Sequence, residues 1–394
     1  MARGGINMEM EFEPIKEEPM NSVERVMTAL SLKEPDRVPV WPLIDFLPAH
    51  YIDITAQEIL EDPDKSQYAY EWIYHKLGGY DIAMAGGGMY MMYINPFPDF
   101  FSAYYVDWRL PGRMLGVNEP PQLVERSLNN PILTEKDYDK IINEGLLWLA
   151  NFERAGISDM TKLPKIGAKV EENTIKWWTH YKVPTFTEGA VIVPFDLLSV
   201  FRGATNFMKD IYRYPDKIKE VCDFLVDNVI LMGEYGISQM KGKTILVGAV
   251  RASADFISIK HFEELFWPYF KKIVTRYVND GFIVQLHMDT NWTDRLHYLL
   301  ELPKGKIYMH MDERTDIFKA KEILGDHMCI QGNMKPSLFT LGTPAMVEKQ
   351  TKEIIDKCAE GGGLLVGAEI PDNAKLENLR AMIDTCKTYG VYRK

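Results

Sequence analysis

Residues 282–289 (FIVQLHMD) and 306–312 (KIYMHMD) each carry a short, largely apolar run into the same tripeptide, His-Met-Asp. Residues two apart on a β-strand point to the same side, so the His and the Asp of each copy face together. Two neighbouring strands of this kind would bring two imidazoles and two carboxylates to one place. Such a place suits a metal ion or acid–base chemistry. The alternative is that each histidine is a hydrogen-bonded core residue.

Strand-like and helical stretches alternate along most of the chain. Eight strand–helix units in series predict an α/β fold, a parallel (β/α)8 TIM barrel. A doubly wound open sheet is the alternative, and its dinucleotide-binding form lacks support because no GxGxxG follows the first strand. The predicted strands are residues 38–44, 80–85, 185–193, 244–250, 282–289, 306–312, 327–333 and 363–369.

The predicted domain organisation has three parts. Residues 1–20 lack the apolar core of a targeting signal and are interpreted as a polar N-terminal arm. Residues 21–394 are predicted to form a single barrel domain. Within it, residues 89–182 interrupt the alternation with many prolines. They are predicted to be an insertion after the second strand, laid over the barrel mouth.

The composition excludes several classes of function. A net charge of −11 over 394 residues disfavours a nucleic acid or an anionic membrane as partner, and no apolar run is long enough to span a bilayer. The 4 cysteines form no CxxC pair, which is typical of a reducing cytoplasm. A small molecule is therefore the expected substrate, and a homodimer remains open.

A barrel of this kind has its active site at the carboxyl ends of its strands. His287, Asp289 and Glu369 are expected to converge there from the fifth and eighth predicted strands. Three protein ligands with one open position form the catalytic zinc pattern, so these three residues are predicted to hold Zn²⁺. The structural alternative is that Asp289 hydrogen-bonds nearby backbone while Glu369 pairs with a basic residue such as Arg314.

Further residues at the strand ends and in the segment 83–108 complete the predicted site. That segment is dense in Met, Tyr and Phe, and it would either stack a flat substrate or form a small core of its own. The predicted catalytic residues are Asp289, His310, Asp312 and Glu188, and the predicted substrate-binding residues are Trp292, Met89, Tyr90, Asn333 and Asp255.

Two regions carry a family resemblance. Residues 254–256 (ADF) with 262–269 (FEELFWPY), and residues 367–371 (GAEIP) with 376–378 (LEN), are similar to the fourth-strand region and the ending of the uroporphyrinogen decarboxylase superfamily. The resemblance extends from about residue 21 to the C-terminus and implies a (β/α)8 barrel.

Three branches of that superfamily imply three reactions. The decarboxylase branch has an arginine-rich, RQAGR-like stretch after the first strand, whereas residues 43–50 read LIDFLPAH here. A polycarboxylate substrate would therefore lack its basic partners. The branch that methylates thiols from methyl-cobamide holds zinc with His-x-Cys and a second Cys. The matching positions here are His287, Asp289 and Ala368, so both sulfur ligands are replaced.

The resemblance therefore favours the third branch, similar to the methyltransferase component of cobamide-dependent O-demethylases. It implies transfer of a methyl group from a methyl ether, expected to be a methoxylated aromatic, to the cob(I)amide of a separate corrinoid protein. An oxygen-rich metal site is a harder Lewis acid than a thiolate-rich one and suits an ether oxygen. The alternatives are transfer from methyl-cobamide to a thiol or folate, a uroporphyrinogen decarboxylase-like reaction, and a non-catalytic corrinoid-binding barrel.

Overall fold

Seven parallel strands form one curled sheet in the computed structural model of this protein, with the spatial order β1-β9-β8-β7-β6-β5-β4. The structure describes residues 12, 15–89, 105–107, 122–124, 131–145, 148, 163–185, 188–239 and 242–392. The strands are β1 Val40–Ile44, β2 Tyr105–Asp107, β3 Gln122–Val124, β4 Ala190–Ile192, β5 Thr244–Ala249, β6 Ile283–Met288, β7 Ile307–Met311, β8 Cys329–Asn333 and β9 Leu364–Ile370. Strands β2 and β3 form a separate antiparallel pair.

Helices follow most of the sheet strands, as βαβ crossovers require. The α-helices are α1 Ser22–Leu30, α2 Ala56–Glu61, α3 Pro63–Lys76, α4 Asp137–Glu144, α5 Leu163–Lys176, α6 Pro194–Arg202, α7 Ala204–Arg213, α8 Pro215–Gln239, α9 Ile259–Leu265, α10 Trp267–Asn279, α11 Ile317–Leu324, α12 Pro336–Thr340, α13 Pro344–Cys358 and α14 Leu376–Thr388. Short 3₁₀ helices span Leu47–His50 and Leu296–Glu301, and a π-helical turn spans Trp177–Tyr181.

Several helix starts are explained by their caps. The Asn21 side chain accepts from the amide of Glu24, whose own side chain returns to the Asn21 amide, which makes a capping box before α1. The Asp316 side chain accepts from the amides of Phe318 and Lys319 at the start of α11. Strands β5 and β8 are buried along their whole length, which is typical of a parallel sheet covered on both faces.

The predicted second strand, residues 80–85, lies between the two edges of the sheet and makes few backbone hydrogen bonds with either edge. The Asp81 amide donates to Val40 O at 2.8 Å, and the Ala83 amide donates to Pro184 O at 3.0 Å. The pairing of Ala83 with Thr185 is a single parallel bridge. These contacts connect β1 to the chain just before β4. Residues 80–85 therefore close the barrel between the two edge strands of the sheet, and the predicted α/β barrel is confirmed.

A buried charge cluster lies at the amino end of the barrel. The Asp81 carboxylate contacts Arg25 Nη1 and Arg37 Nη1, both at 2.7 Å, and accepts from the Val40 amide at 2.7 Å. Burial would raise the pKa of Asp81, but the two guanidinium groups outweigh it and hold that pKa far below its usual range. This cluster pins α1 and β1 to the segment that completes the barrel.

Parts of the predicted arm, including residues 1–11, and parts of the predicted insertion, including residues 90–104, lie outside the described residues. Within the described part of the insertion, the Tyr138 hydroxyl of α4 donates to Asp210 of α7 at 2.9 Å. The predicted placement of the insertion over the mouth, and the predicted domain division, stay predictions. No helix among the described residues is long and apolar enough to cross a membrane.

Candidate functional site

The two His-Met-Asp copies lie on neighbouring strands, in register. His287 of β6 pairs with His310 of β7, and their rings are stacked with centroids 4.9 Å apart and planes 3° from parallel. Both side chains point into the barrel because each alternates with neighbours that face the helices. The convergence predicted from the repeated tripeptide is thus present for the imidazoles.

Glu369, near the end of β9, brings a carboxylate to this pair. Its Oε1 lies 3.4 Å from His287 Nε2 and 3.5 Å from His310 Nε2. The ligand atoms of these three residues all lie within 4.8 Å of one another. The Glu369 side chain is 55% exposed, while the His287 and His310 side chains are 16% and 4% exposed, so the carboxylate stands in an open mouth above one partly buried and one buried imidazole.

The spacing and chemistry of this group fit a zinc ion. A tetrahedral ion with ligands at about 2.1 Å separates neighbouring ligand atoms by about 3.4 Å, close to the two Nε2–Oε1 distances. Two imidazoles and one carboxylate are a catalytic zinc donor set. We refer to His287, His310 and Glu369 as the metal-site triad.

The predicted ligand set was His287, Asp289 and Glu369, and the structure groups His310 with the triad in place of Asp289. The Asp289 carboxylate instead contacts His287 Nε2 at 3.2 Å. The Asp289 carboxylate therefore lies beside the same ring nitrogen that faces Glu369. The alternative pairing of Glu369 with Arg314 is replaced by an ion pair between Arg314 and Asp255 at 3.1 Å.

The electrostatics of the triad depend on its carboxylates. Burial would lower the pKa of His287, but Asp289, Glu369 and Asp45 together raise it to about 9. Burial would raise the pKa of Glu369, but His310 and His287 lower it. Without a metal ion, the site therefore favours a cationic imidazole beside an ionised carboxylate.

Asp45 is a residue of the mouth that was not among the predicted site residues. It follows β1 directly and is half-buried. Burial, together with the nearby carboxylates of Asp372 and Glu369, raises its pKa to about 7. Its position at the end of the first predicted strand was the available signal. Asp45 can hold a proton at neutral pH and release it to a basic atom in the mouth.

Asp312 was predicted to be catalytic, but its carboxylate accepts backbone amides. Thr290 N donates to it at 3.2 Å and Arg314 N at 2.9 Å. Asn333, predicted to bind substrate, donates to Asp312 O at 3.2 Å and Thr315 O at 2.7 Å. Both residues hold the loops after β6 and β7, because strand-end polar groups also satisfy loop backbone.

Two of the predicted substrate-binding residues are buried. Trp292 is 1% exposed, and its indole lies against Phe262 and Phe266 with centroids 6.1 and 6.0 Å away. The chain turns inward after β6, which places the ring under the loop instead of in the mouth. Met89 is 0% exposed, so it does not face solvent either. Tyr90 lies outside the described residues.

Glu188 was predicted to lie within a strand near the mouth, but it lies at the opposite end of the barrel. Strand β4 begins only at Ala190, and Glu188 accepts from Thr244 N, at the start of β5, at 3.1 Å. It also accepts from Trp178 Nε1 at 2.7 Å. The apolar pattern suggested a longer strand than the ladder supports, which misplaced this carboxylate.

Asp255, the remaining predicted substrate-binding residue, lies on the rim. Its carboxylate pairs with Arg314 and accepts from Asn291 N at 3.4 Å. This contact links the loops after β5, β6 and β7. Asp255 therefore shapes the edge of the mouth instead of joining the triad.

Comparison with known proteins agrees with this architecture. A methyltransferase from Methanosarcina mazei superposes with a TM-score of 0.66 at 16% identity, covering 94% of this chain and 99% of that one. At this identity the likeness shows a shared fold. Two proteins named uroporphyrinogen decarboxylase are similar in sequence: one from Mannheimia succiniciproducens is 23% identical over 197 residues, and one from Yersinia pestis is 27% identical over 168 residues.

The alignments with these two relatives cover 48% and 41% of this chain, and 53% and 45% of the relatives themselves. The chain thus spans about half the length of the curated relatives it matches. The family profile described as Uroporphyrinogen decarboxylase (URO-D) matches residues 179–389, which include β4 to β9 and the whole triad. Because that match extends over more than half of the chain, this protein belongs to the uroporphyrinogen decarboxylase family.

Proposed function

We propose that this protein transfers a methyl group from a methyl ether, such as a methoxylated aromatic, to the reduced cobalt of a cobamide carried by a separate corrinoid protein. The observation that carries the proposal is the metal-site triad at the strand ends. Its donor atoms all lie within 4.8 Å of one another, with Glu369 Oε1 at 3.4 and 3.5 Å from the two Nε2 atoms, and they include no sulfur.

The donor set favours an oxygen substrate. Thiolate ligands suit soft partners, whereas imidazole and carboxylate ligands leave a zinc ion a harder Lewis acid. All four cysteines, Cys222, Cys329, Cys358 and Cys386, are buried and free, and none belongs to the triad. A zinc ion bound here would supply Lewis acidity at the ether oxygen.

In the proposed transfer, cobalt(I) is the nucleophile and the ether oxygen is the leaving group. The ether carbon–oxygen bond breaks, and its electron pair stays on the oxygen. Cobalt(I) provides both electrons of the new cobalt–carbon bond, so cobalt is formally oxidised to cobalt(III). The oxygen leaves as a phenolate or takes one proton to become the alcohol.

The chain itself contributes binding, orientation and a proton. His287, His310 and Glu369 would hold the ion, and the Asp289 carboxylate, 3.2 Å from His287 Nε2, would add negative charge beside it. Asp45, with its raised pKa of about 7, would give a proton to the leaving oxygen. The Glu369 side chain is 55% exposed, so a substrate would reach the triad from that side.

Decarboxylation is the second candidate, favoured by the names of the similar proteins. The mouth, however, collects Asp45, Asp289, Glu369 and Asp372. No Arg or Lys of the described part forms an ion pair with any of them. A substrate with several carboxylates would be repelled by such a surface, since its charges would lack bidentate basic partners.

The test uses purified protein loaded with zinc, free cob(I)alamin and a panel of methoxylated benzoates and phenols. The expected result is conversion of the cob(I)alamin spectrum to that of methylcobalamin, with release of the demethylated phenol. A Glu369→Gln variant should lose the reaction, and a Glu353→Gln variant on the exposed face of α13 should keep it.

Other outcomes would overturn the proposal. Failure with every ether alongside methylation of cob(I)alamin by a methylated amine or thioether would reject the substrate class. Methyl transfer from methylcobalamin to a thiol or folate, without ether turnover, would reject the direction. Carbon dioxide release from a porphyrinogen would support the decarboxylase reading, and corrinoid binding without any turnover would indicate a binding barrel.

A further inference from the structure

Thr290, directly after the first His-Met-Asp copy, has an unusual backbone. Its φ is +66°, in the left-handed region. A β-branched side chain rarely adopts this conformation. Residues in such strained conformations persist only where their surroundings hold them, and they cluster at functional sites. Lys306, just before β7, has a similar φ of +56° but lies at the amino end of its strand.

The backbone of Thr290 is held from two sides. Its amide donates to Asp312 Oδ2 at 3.2 Å, and its carbonyl accepts from Thr315 Oγ1 at 2.9 Å. Both partners lie on the loop that follows β7. The carboxylate of the second tripeptide thus fixes the backbone that follows the first.

The Thr290 hydroxyl makes two further contacts. We refer to the contacts of Thr290 with Ser253, Asp312 and Thr315 as the clamp. The hydroxyl donates to Asp289 O at 2.5 Å. Because a hydroxyl has one proton, the contact of 2.5 Å with Ser253 Oγ requires that Ser253 donates. Asp289 O also accepts from Trp292 Nε1 at 2.7 Å, so this carbonyl has two donors.

These contacts fix Asp289 on each side. Its amide donates to Ala249 O at 3.1 Å, and its carbonyl is held by the Thr290 hydroxyl and the Trp292 indole. With both adjoining peptides locked, the carboxylate is directed to His287 Nε2 at 3.2 Å. A rotated peptide at Thr290 would turn the carboxylate away.

We infer that Thr290 is a positioning residue: its left-handed backbone, clamped by Ser253, Asp312 and Thr315, holds the Asp289 carboxylate beside His287 Nε2, the nitrogen through which the metal-site triad would bind an ion. The inference deepens the proposed function and rests on it for the metal, while the Asp289–His287 contact exists in the metal-free chain. The two tripeptides then have different roles. The first carries the site, and the second braces it.

Five variants separate the clamp from general stability. Thr290→Val keeps the shape and removes the hydroxyl, and Thr290→Ser keeps the hydroxyl. Ser253→Ala removes one partner of the clamp without changing residue 290. Thr290→Gly releases the left-handed backbone, and Lys306→Gly is the matched control, since it releases the same kind of backbone away from the site.

Two measurements decide the inference. In metal-free protein at pH 7, nitrogen-15 NMR reports the Nε2–H of His287 bonded to Asp289. In zinc-loaded protein, competition with a chromophoric chelator reports affinity. We expect Thr290→Val, Ser253→Ala and Thr290→Gly to lose the downfield resonance and to bind zinc about tenfold more weakly. Thr290→Ser and Lys306→Gly should match the wild type in both.

Wild-type resonance and zinc affinity in both Ser253→Ala and Thr290→Gly would overturn the inference, whatever their melting temperatures. If Thr290→Val fails to fold, Ser253→Ala and Thr290→Gly still decide. If the wild-type protein binds no zinc, the metal part of the proposed function fails. The NMR result in metal-free protein still tests the role of Thr290 in that case.

Discussion

The two ends of the barrel hold two charge clusters of opposite character. At the amino end, Arg25, Arg37 and Asp81 are buried, and each guanidinium group contacts the shared Asp81 carboxylate at 2.7 Å. At the carboxyl end, His287 and His310 share one exposed carboxylate, and the Nδ1 atoms of both rings are buried without a hydrogen-bond partner among the described residues. The first arrangement is typical of structure and the second of a functional site.

The difference shows how the same residue types serve two purposes. A buried ion pair with all its hydrogen bonds made specifies how the elements meet. Carboxylates crowded around imidazoles, with shifted pKa values and solvent access, are arranged for chemistry. Substitutions at the two ends should therefore separate stability from function.

The largest expected effect is on stability, at the amino end. Asp81→Ala should lower the free energy of unfolding by about 3–5 kcal/mol, because it removes the one fully buried carboxylate that two buried guanidinium groups share and leaves them only Asp36 and Glu18 nearer the surface. Chemical denaturation measures this change. Glu353→Gln, on an exposed helix, is the control and should stay within about 0.5 kcal/mol. An equally small change in Asp81→Ala would show that the cluster is not structural.

The next effect is on activity, at the carboxyl end. Glu369→Gln should lower the rate of methyl transfer to cob(I)alamin by about 100-fold or more, since one charged ligand of the triad is lost. The melting temperature should change little because the side chain is 55% exposed. Full activity in this variant, measured with its zinc content, would exclude the triad as the metal site.

Glu188 tests the corrected placement of a predicted catalytic residue. Glu188→Gln should lower the free energy of unfolding by about 1–3 kcal/mol, because Trp178 Nε1 and Thr244 N donate to its carboxylate. The rate per folded molecule should match the wild type. A large loss of rate at unchanged stability would restore the catalytic prediction.

The smallest expected effect is the pH dependence of stability, which has opposite signs at the two ends. The folded pKa of Asp81 is depressed, so its stabilisation is present above about pH 4 and is lost as the pH falls toward its folded pKa. The folded pKa of Asp45 is raised to about 7, so its contribution is present below about pH 4 and is lost as the pH rises through 7.

Denaturation of metal-free protein from pH 2 to pH 8 measures both trends. Asp81→Asn should flatten the acid side of the profile, and Asp45→Asn should flatten the loss between pH 4 and pH 7. Parallel profiles for Asp45→Asn and the wild type would contradict the raised pKa of Asp45.

Much of the fold was predictable from the sequence. Seven of the eight predicted strands appear in the sheet, because apolar runs between turn residues give strands wherever crossover helices cover both faces. The remaining predicted strand, residues 80–85, makes only single contacts with its neighbour on each side. There the Asp81 side chain accepts a hydrogen bond from the Val40 amide. An apolar pattern in the sequence cannot indicate this contact.

The sequence predicted most residues of the candidate site, but it predicted their contacts with each other less well. His287 and Glu369 were expected as ligands, and both belong to the triad. His310 was expected beside them as a catalytic residue, and its ring instead takes the place proposed for Asp289. Asp289 and Asp312 occupy equivalent positions in identical tripeptides, yet one contacts an imidazole and the other accepts backbone amides.

By itself, the sequence determined the order of the strands and the side of each strand on which its polar residues lie. The period of two along a strand is a local property, and it is enough to send His287 and His310 into the barrel. Only the tertiary structure decided which groups come within a few ångströms of each other. Those distances depend on the register between strands far apart in sequence, and on loops such as the one at Thr290, where contacts from the loops after β5 and β7 set the backbone.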